Sequence, residues 1–283
     1  MKQEQQWDLI IRPKNNWHKL DLQSIWHYRD LLMLLVKRDF ISVYKQTILG
    51  PLWFFIQPVL TSLTFTFIFS GIAHISTDGN PAMLFYMAGI TLWTYFSDCL
   101  TKTSSTFIAN AAVFGKVYFP RLIVPLSVLI SNLIKFSIQV LIFLITWIYF
   151  LTVSSTITAQ WHYMWLIPVL ILMMAGLGFG FGVMISSLTT KYRDLTFLVG
   201  FGVQLLMYGS SVVLPISTMS PKTQIIMLLN PLTSIIEAFK FLFLGSGFFN
   251  FIWLGYSFVF MLILMTVSVL IFNKVEKSFM DTV

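Results

Sequence analysis

Charge is scarce in this chain. Its 283 residues include 18 Lys and Arg and 11 Asp and Glu, 10% in all. A soluble domain carries about 25% charged residues, so an ordinary water-soluble domain is excluded. Cysteine is scarcer: Cys99 stands alone, which rules out an intrachain disulfide or a thiolate metal cluster and leaves a small packing residue beside an apolar run. There is no G-x-x-x-x-G-K-[ST] sequence for an ATPase motor, no G-x-S-x-G nucleophile elbow and no H-E-x-x-H metal motif. His18, His27, His74 and His162 are scattered through predicted membrane flanks and form no ligand pattern. The first residues, with Lys2, Glu4, Asp8, Arg12, Lys14 and Lys19, do not read as a cleavable signal peptide. The net charge of +7 is not clustered as nucleic acid would require, because most of the chain between residues 50 and 273 lacks Lys and Arg.

What the chain has is apolar surface. It is 57% hydrophobic, with 28 Phe, 9 Trp and 10 Tyr and a mean hydropathy of +0.81. Six segments, near 52–73, 82–100, 122–151, 163–188, 195–216 and 249–272, read as helices able to cross about 30 Å of hydrocarbon at about 1.5 Å per residue. The fold class is therefore all-α, a polytopic membrane protein with six transmembrane helices. Gln57-Pro58 predicts a kink in the first span, with Thr61, Ser62, Thr64 and Thr66 available to the freed backbone. The second is short and ends in polar residues. In the fourth, Gly176, Gly178, Gly180 and Gly182 permit close helix packing or a hinge, but lack the flanking strand and acidic residue of a dinucleotide site.

Orientation follows from the flanking cations, which favour the cytoplasm. Fifteen of the 18 basic residues fall on one side: eight before residue 52, then Lys102, Lys116, Arg121, Lys191, Arg193, Lys274 and Lys277. Lys222 and Lys240 lie on the other side and Lys135 lies within a span. Both termini are thus predicted to be cytoplasmic.

Three stretches are not simple spans. Residues 20–44 interleave leucines with Arg29, Asp30, Lys37, Arg38 and Asp39, the pattern of an amphipathic helix lying at the membrane interface. Such a helix can anchor the protein or receive motion from a partner. The 101–121 connection reads as a helical hairpin or bent helix. Across 217–248, two short apolar pieces flank Asn230-Pro231 and predict re-entrant or interfacial helices, on which Glu237 and Lys240 form a surface pair worth about 0.2–0.5 kcal/mol.

Lys135 is the anomaly. A charge in hydrocarbon is costly and faces a cavity, a partner or the interface; its stem can also snorkel to the edge. Asn132 and Gln139, one turn to either side, extend a polar stripe that can line a lumen or join helices. Trp93, Tyr95 and Phe96, Trp147, Tyr149 and Phe150, and Trp161, Tyr163 and Trp165 sit near span ends. They fit an interfacial aromatic belt or a stacking track for a sliding sugar chain. Phe65, Phe67 and Phe69 fit lipid packing equally.

The run RDLLMLLVKRDFISVYKQTILGPLWFFIQPVLTSLTFTFIF resembles the membrane permease subunit of bacterial ABC-2-type polysaccharide exporters, as do AVFGKVYFPRLIVPLS and MLLNPLTSIIEAFKFLFLG. The likeness covers most of residues 22–272, leaving 1–20 as a polar N-terminal extension and 21–283 as the permease domain. It implies a homodimer of six-span subunits, driven by two separate nucleotide-binding subunits that hold ATP and Mg, with no cofactor and no catalysis in this chain. The implied cargo is undecaprenyl-diphosphate-linked polysaccharide, such as O-antigen, capsule-like polymer or teichoic acid, leaving across the bacterial inner membrane. By the same resemblance, Arg29 to Tyr44 is the interface helix, Lys45 to Trp53 turns it into the first span, and 101–119 forms the coupling and gate region. Arg29, Asp30, Lys37, Arg38, Lys45, Lys102 and Lys116 would then meet the ATPase. Lys135, Asn132, Gln139 and Arg121 would meet the lipid head or channel. Phe65, Phe69, Trp93, Tyr95, Phe96, Trp147 and Tyr149 are channel or belt residues, and Asn230, Pro231, Glu237 and Lys240 close the external end. Exporters of drugs or lipids and a non-transporting scaffold are the competing readings.

Overall fold

The computed structural model describes residues 22–45, 48–117, 119–192 and 194–279. The N-terminal extension, Gln46 and Thr47 of the turn into the first span, and Arg193 of the charge tally lie outside the described residues. All regular structure there is helical: α1 (Leu22–His27), α2 (Arg29–Tyr44), α3 (Trp53–Phe65), α4 (Ala82–Ser104), α5 (Thr106–Phe114), α6 (Ile123–Val153), α7 (Ile167–Thr189), α8 (Leu195–Tyr208), α9 (Pro221–Leu229), α10 (Pro231–Leu244) and α11 (Phe251–Phe279).

Four stretches are long and apolar enough to cross a membrane: Trp53–Ile72, Ile123–Val153, Trp161–Thr189 and Phe251–Glu276. The bent pair α9–α10 raises the number to five if it counts as one span. This is fewer than the six crossings predicted from sequence, for two physical reasons. At 23 residues α4 is long enough, but it is less apolar than the others, which its packing tolerates since 16 of those residues are buried inside the protein. In contrast, α8 is apolar but stops at Tyr208, and its 14 residues reach only about 21 Å.

The bundle is organised around α4, which packs against α3, α6, α7, α8 and α10, while α7 also lies along α11. The alternating glycines of α7 explain the closeness of both contacts. A Cβ on Gly178 would stand 3.0 Å from the Phe96 carbonyl oxygen of α4, and one on Gly182 3.0 Å from that of Leu100. Gly176 and Gly180 face α11, meeting Met261 and Leu264. The run is thus two interleaved small-residue faces, one for each neighbour.

Pro58 sits within α3, and the chain then passes into a π-helical turn over Thr66–Ile72. The neighbouring hydroxyls do bond backbone carbonyls, Thr61 to Gln57 at 2.9 Å, Ser62 to Pro58 at 2.8 Å and Thr66 to Ser62 at 2.8 Å. None of these is the Phe54 carbonyl that Pro58 deprives of its partner. α2 lies along α6, burying Leu35 and Val36, while Met33 and Leu34 are exposed. Its apolar residues therefore serve two faces, one on the bundle and one outside it. The 101–121 connection is a bent helix: α4 breaks at Ser105, α5 resumes, and the break is stitched to α7 by the Phe107 amide donating to Ser186 Oγ at 3.3 Å and by Thr189 Oγ1 donating to the Ser104 carbonyl at 3.3 Å.

At the other end, α9 and α10 meet at 107°. Pro231 opens α10 without an N–H to satisfy, and Asn230 caps it, accepting from the Leu232 amide at 3.1 Å and donating to the Gly209 carbonyl at 2.9 Å. The last carbonyls of α10 are held from outside the helix. Leu242 accepts from the Gln160 amide at 2.9 Å, Phe243 from Trp147 Nε1 at 2.7 Å and Leu244 from the Thr158 amide at 3.3 Å.

Candidate functional site

The polar residues of α4 and α6 meet across the bundle. Lys102 Nζ donates to Asn132 Oδ1 at 2.9 Å and lies 3.9 Å from Asp98 Oδ2. Lys135 Nζ is 3.5 Å from the same Asp98 oxygen and 5.5 Å from the centre of the Phe54 ring of α3. Lys135 therefore does not simply snorkel. It is 15% exposed and shares one carboxylate with Lys102. Asn132 also donates to Cys99 Sγ at 3.9 Å, so the buried thiol packs against the polar stripe.

This network forms a wall of a cavity of about 430 Å³ between α2, α4, α5 and α6. Arg38 and Asp39 of α2 face it, joined to each other at 2.8 Å, along with Asn110 of α5 and Ser131 of α6. Three cations, Arg38, Lys102 and Lys135, thus share one pocket with the Asp39 carboxylate, and Asp98 reaches the two lysines from outside the lining. The pocket's polar lining at the end of an apolar bundle suits an anionic group that arrives with an apolar portion. Among the described residues no three His, Cys, Asp or Glu side chains gather to hold a metal.

The structure brings together residues that the sequence assigns to two different tasks. Arg38 and Lys102, assigned to a partner surface, line the same pocket as Lys135 and Asn132, assigned to the lipid head or channel. Gln139 continues the α6 stripe and is buried at 8% exposure. Arg121 is elsewhere: its Nη1 donates to the Glu276 carbonyl of α11 at 2.7 Å, and its guanidinium lies over Phe114 at 5.5 Å. Arg29, Asp30, Lys37, Lys45 and Lys116 are exposed outside the pocket.

Asp98 is the residue that sequence reasoning missed. It is the only carboxylate within any of the six predicted spans and stands four residues before Lys102, and both facts were available as signals.

Burial removes several aromatic residues from a lipid belt or a lumen within this subunit. Trp93, Tyr95, Phe96 and Trp147 are all packed in the core, Tyr95 stacking on Phe136 with centroids 4.7 Å apart. Tyr149 is exposed. Phe65 and Phe69 are half-buried and pack edge-on against each other at 5.1 Å.

Glu237 and Lys240 are not a surface pair. Their side chains are each 1% exposed, with Lys240 Nζ 3.8 Å from Glu237 Oε1. Lys240 also donates to the Ser211 carbonyl and stands 3.6 Å over the Phe85 ring, while Glu237 Oε2 accepts from the Phe248 amide at 2.9 Å. Asn230 and Pro231 form the corner of the bent pair.

The described architecture recurs in sequence. The ABC-2 type transporter family matches residues 30–244, which include the bent pair and the whole polar pocket. Two proteins of Klebsiella pneumoniae, each described as "O-antigen export system permease protein RfbA", are 28% identical over 252 residues, covering 89% of this chain and 94% of theirs. A protein of the same description from Myxococcus xanthus is 25% identical over 224 residues, covering 78% of this chain and 83% of its own. With three quarters of its length in the family match and a multi-pass helical bundle to carry it, this chain belongs to the ABC-2 type transporter family.

Proposed function

We propose that this chain is the transmembrane subunit of an ATP-driven exporter that carries undecaprenyl-diphosphate-linked polysaccharide from the cytoplasmic to the external side of a bacterial inner membrane. The observation that carries the reading is the near full-length likeness to O-antigen export permeases, over 89% of this chain and 94% of the Klebsiella proteins. Work would come from two separate nucleotide-binding subunits holding ATP and Mg, docked on the side where α2 and the turns after α2 and α5 present Arg29, Asp30, Lys37, Lys45 and Lys116.

Two structural features support the assignment. The pocket of Arg38, Lys102 and Lys135 offers cations to a phosphate-bearing lipid head at the end of the bundle rich in basic residues. Much of α3 and α8 is apolar and exposed, including Leu60, Leu63, Phe197, Phe201 and Leu205. That surface suits lipid or a second copy around a shared channel, with α4 and the α8 region completing six crossings and both termini on the cytoplasmic side. A long polymer does not fit an alternating pocket sized for one small molecule, so a continuous channel advanced in small steps accounts better for such cargo.

The test is reconstitution of the chain with its ATPase subunits in liposomes, measuring ATP-dependent movement of a defined lipid-linked glycan, with phospholipid and drug substrates as controls. Glycan flux that needs both ATP and the permease is the expected result. Flux of the small substrates alone would overturn the polysaccharide assignment.

A further inference from the structure

Each cation of the polar pocket already has an anion. Arg38 holds Asp39 by two nitrogens on one oxygen, at 2.8 and 2.9 Å. That is the length of a charge-assisted hydrogen bond. Asp98 is held differently. Its Oδ2 stands 3.5 Å from Lys135 and 3.9 Å from Lys102, close enough for attraction and too far for a good hydrogen bond with either. The best hydrogen bond made by Lys102 goes to Asn132 instead, at 2.9 Å. The Asp98 side chain is 37% exposed, so it has open space to turn into. Between Arg38 on one wall and the two lysines on the other lies a cavity of about 430 Å³, ample for a phosphate or diphosphate group with water.

A single carboxylate loosely shared by two ammonium groups is a poor match for them. Alone it cannot neutralise both, and its removal would leave two like charges on adjacent helices. A diphosphate has more negative charge and more acceptor oxygens. It can take both lysines and reach toward Arg38 at once.

We propose that Asp98 is the pocket's built-in competitor: it holds Lys102 and Lys135 in place when the pocket lacks a ligand, and a phosphate or diphosphate group displaces it on binding. The inference rests on the reading that the cargo carries a diphosphate head, and adds to it a residue that sets affinity and release. The exchange serves transport, since two uncompensated lysines beside Arg38 would bind the head too tightly to pass it on. Asp98 returns to the lysines as the head departs, so release does not strand two charges against hydrocarbon.

The experiment uses the chain with its ATPase subunits in phosphatidylcholine nanodiscs, the nucleotide sites saturated with a slowly hydrolysed ATP analogue. Binding of a fluorescent polyprenyl diphosphate is measured directly and by competition with inorganic pyrophosphate. Asp98→Asn keeps the side-chain shape and removes the competing charge, so both ligands should bind about tenfold more tightly. Asp98→Glu should stay near wild type, and Lys135→Ala should weaken both ligands about tenfold. Unchanged or weaker binding in Asp98→Asn, with the complex monodisperse and its ATPase active, overturns the proposal. So does a response confined to discs containing phosphatidylglycerol, which would mark a site for bulk anionic lipid. A response to polyprenyl diphosphate and pyrophosphate alike supports recognition of the phosphate chemistry; a response to the lipid-linked form alone supports the same exchange with a requirement for the tail. Glycan flux measured on the same wild-type complex separates the two readings. Flux without an Asp98 effect overturns the exchange and leaves the transport assignment standing, whereas an Asp98 effect without flux supports the exchange and overturns the assignment.

Discussion

Removing the ammonium of Lys240 should be among the most damaging single changes in this chain, and a second substitution should repair much of the loss. Lys240 and Glu237 are one turn apart on α10 and 1% exposed. Lys240→Met leaves the Glu237 carboxylate buried, with the Phe248 amide on Oε2 and no hydrogen bond on Oε1. An uncompensated buried charge of this kind costs about 3–5 kcal/mol, and at about 1.4 kcal/mol per decade the folded-to-unfolded ratio falls by more than a hundredfold. Glu237→Gln alone strands the ammonium instead and should cost a similar amount. In the double variant Glu237→Gln, Lys240→Met, neither charge remains and the Gln oxygen can still accept from Phe248. The chief residue of damage is the Ser211 carbonyl, which loses the Lys240 donor, at about 1–3 kcal/mol. The double variant should therefore be more stable than Lys240→Met, the reverse of additivity. SDS titration of the purified protein in mixed micelles, followed by circular dichroism, reads the four free energies of the cycle. A double variant as costly as the sum of the singles, or a loss below about 1 kcal/mol in Lys240→Met, would refute the reasoning that these two charges compensate each other.

The glycines of α7 should separate by what they face. Ala at Gly178 or Gly182 presses on backbone carbonyl oxygens of α4 at 3.0 Å, whereas at Gly176 it meets the flexible Met261 and Met265 side chains; the first two should each lose about 1–3 kcal/mol and the third less in the same titration, and equal losses would reject the two-face packing. Trp147→Phe keeps an aromatic ring beside Phe243 but removes the Nε1–H donor to its buried carbonyl, so it should cost about 1–3 kcal/mol and speed amide exchange in the last turn of α10, read by hydrogen–deuterium exchange; unchanged protection there would show that this bond does not hold the helix end.

The parts of the fold legible in sequence are those that depend on local composition. A long apolar run with few charges must form a helix in lipid because no water is present to satisfy its backbone, which is why the stretches later occupied by α3, α6, α7 and α11 stand out. Asn230-Pro231 marks the bent pair for an equally local reason, a proline without an N–H beside a capping side chain. The aromatic residues were harder to read. Trp93 and Trp147 sit near span ends, as belt residues do, yet both are buried, because a span end in the middle of a bundle faces other helices and not a headgroup layer.

Composition and local pattern alone determined that this is an apolar, helical membrane chain, that Lys135 is out of place in hydrocarbon, and that α7 can approach its neighbours closely. Tertiary structure alone decided the rest: that α4 is enclosed and need not be as apolar as a lipid-facing span, that Glu237 and Lys240 are interior, that Arg38, Lys102, Asn132 and Lys135 share one pocket, and that Asp98 pairs with its two lysines. The physical reason is range. Hydrophobicity and capping act within a few residues along the chain, whereas the charge that answers Lys135 comes from Asp98, 37 residues away in sequence and 3.5 Å away in space, and only the crossing of α4 over α6 brings the two together.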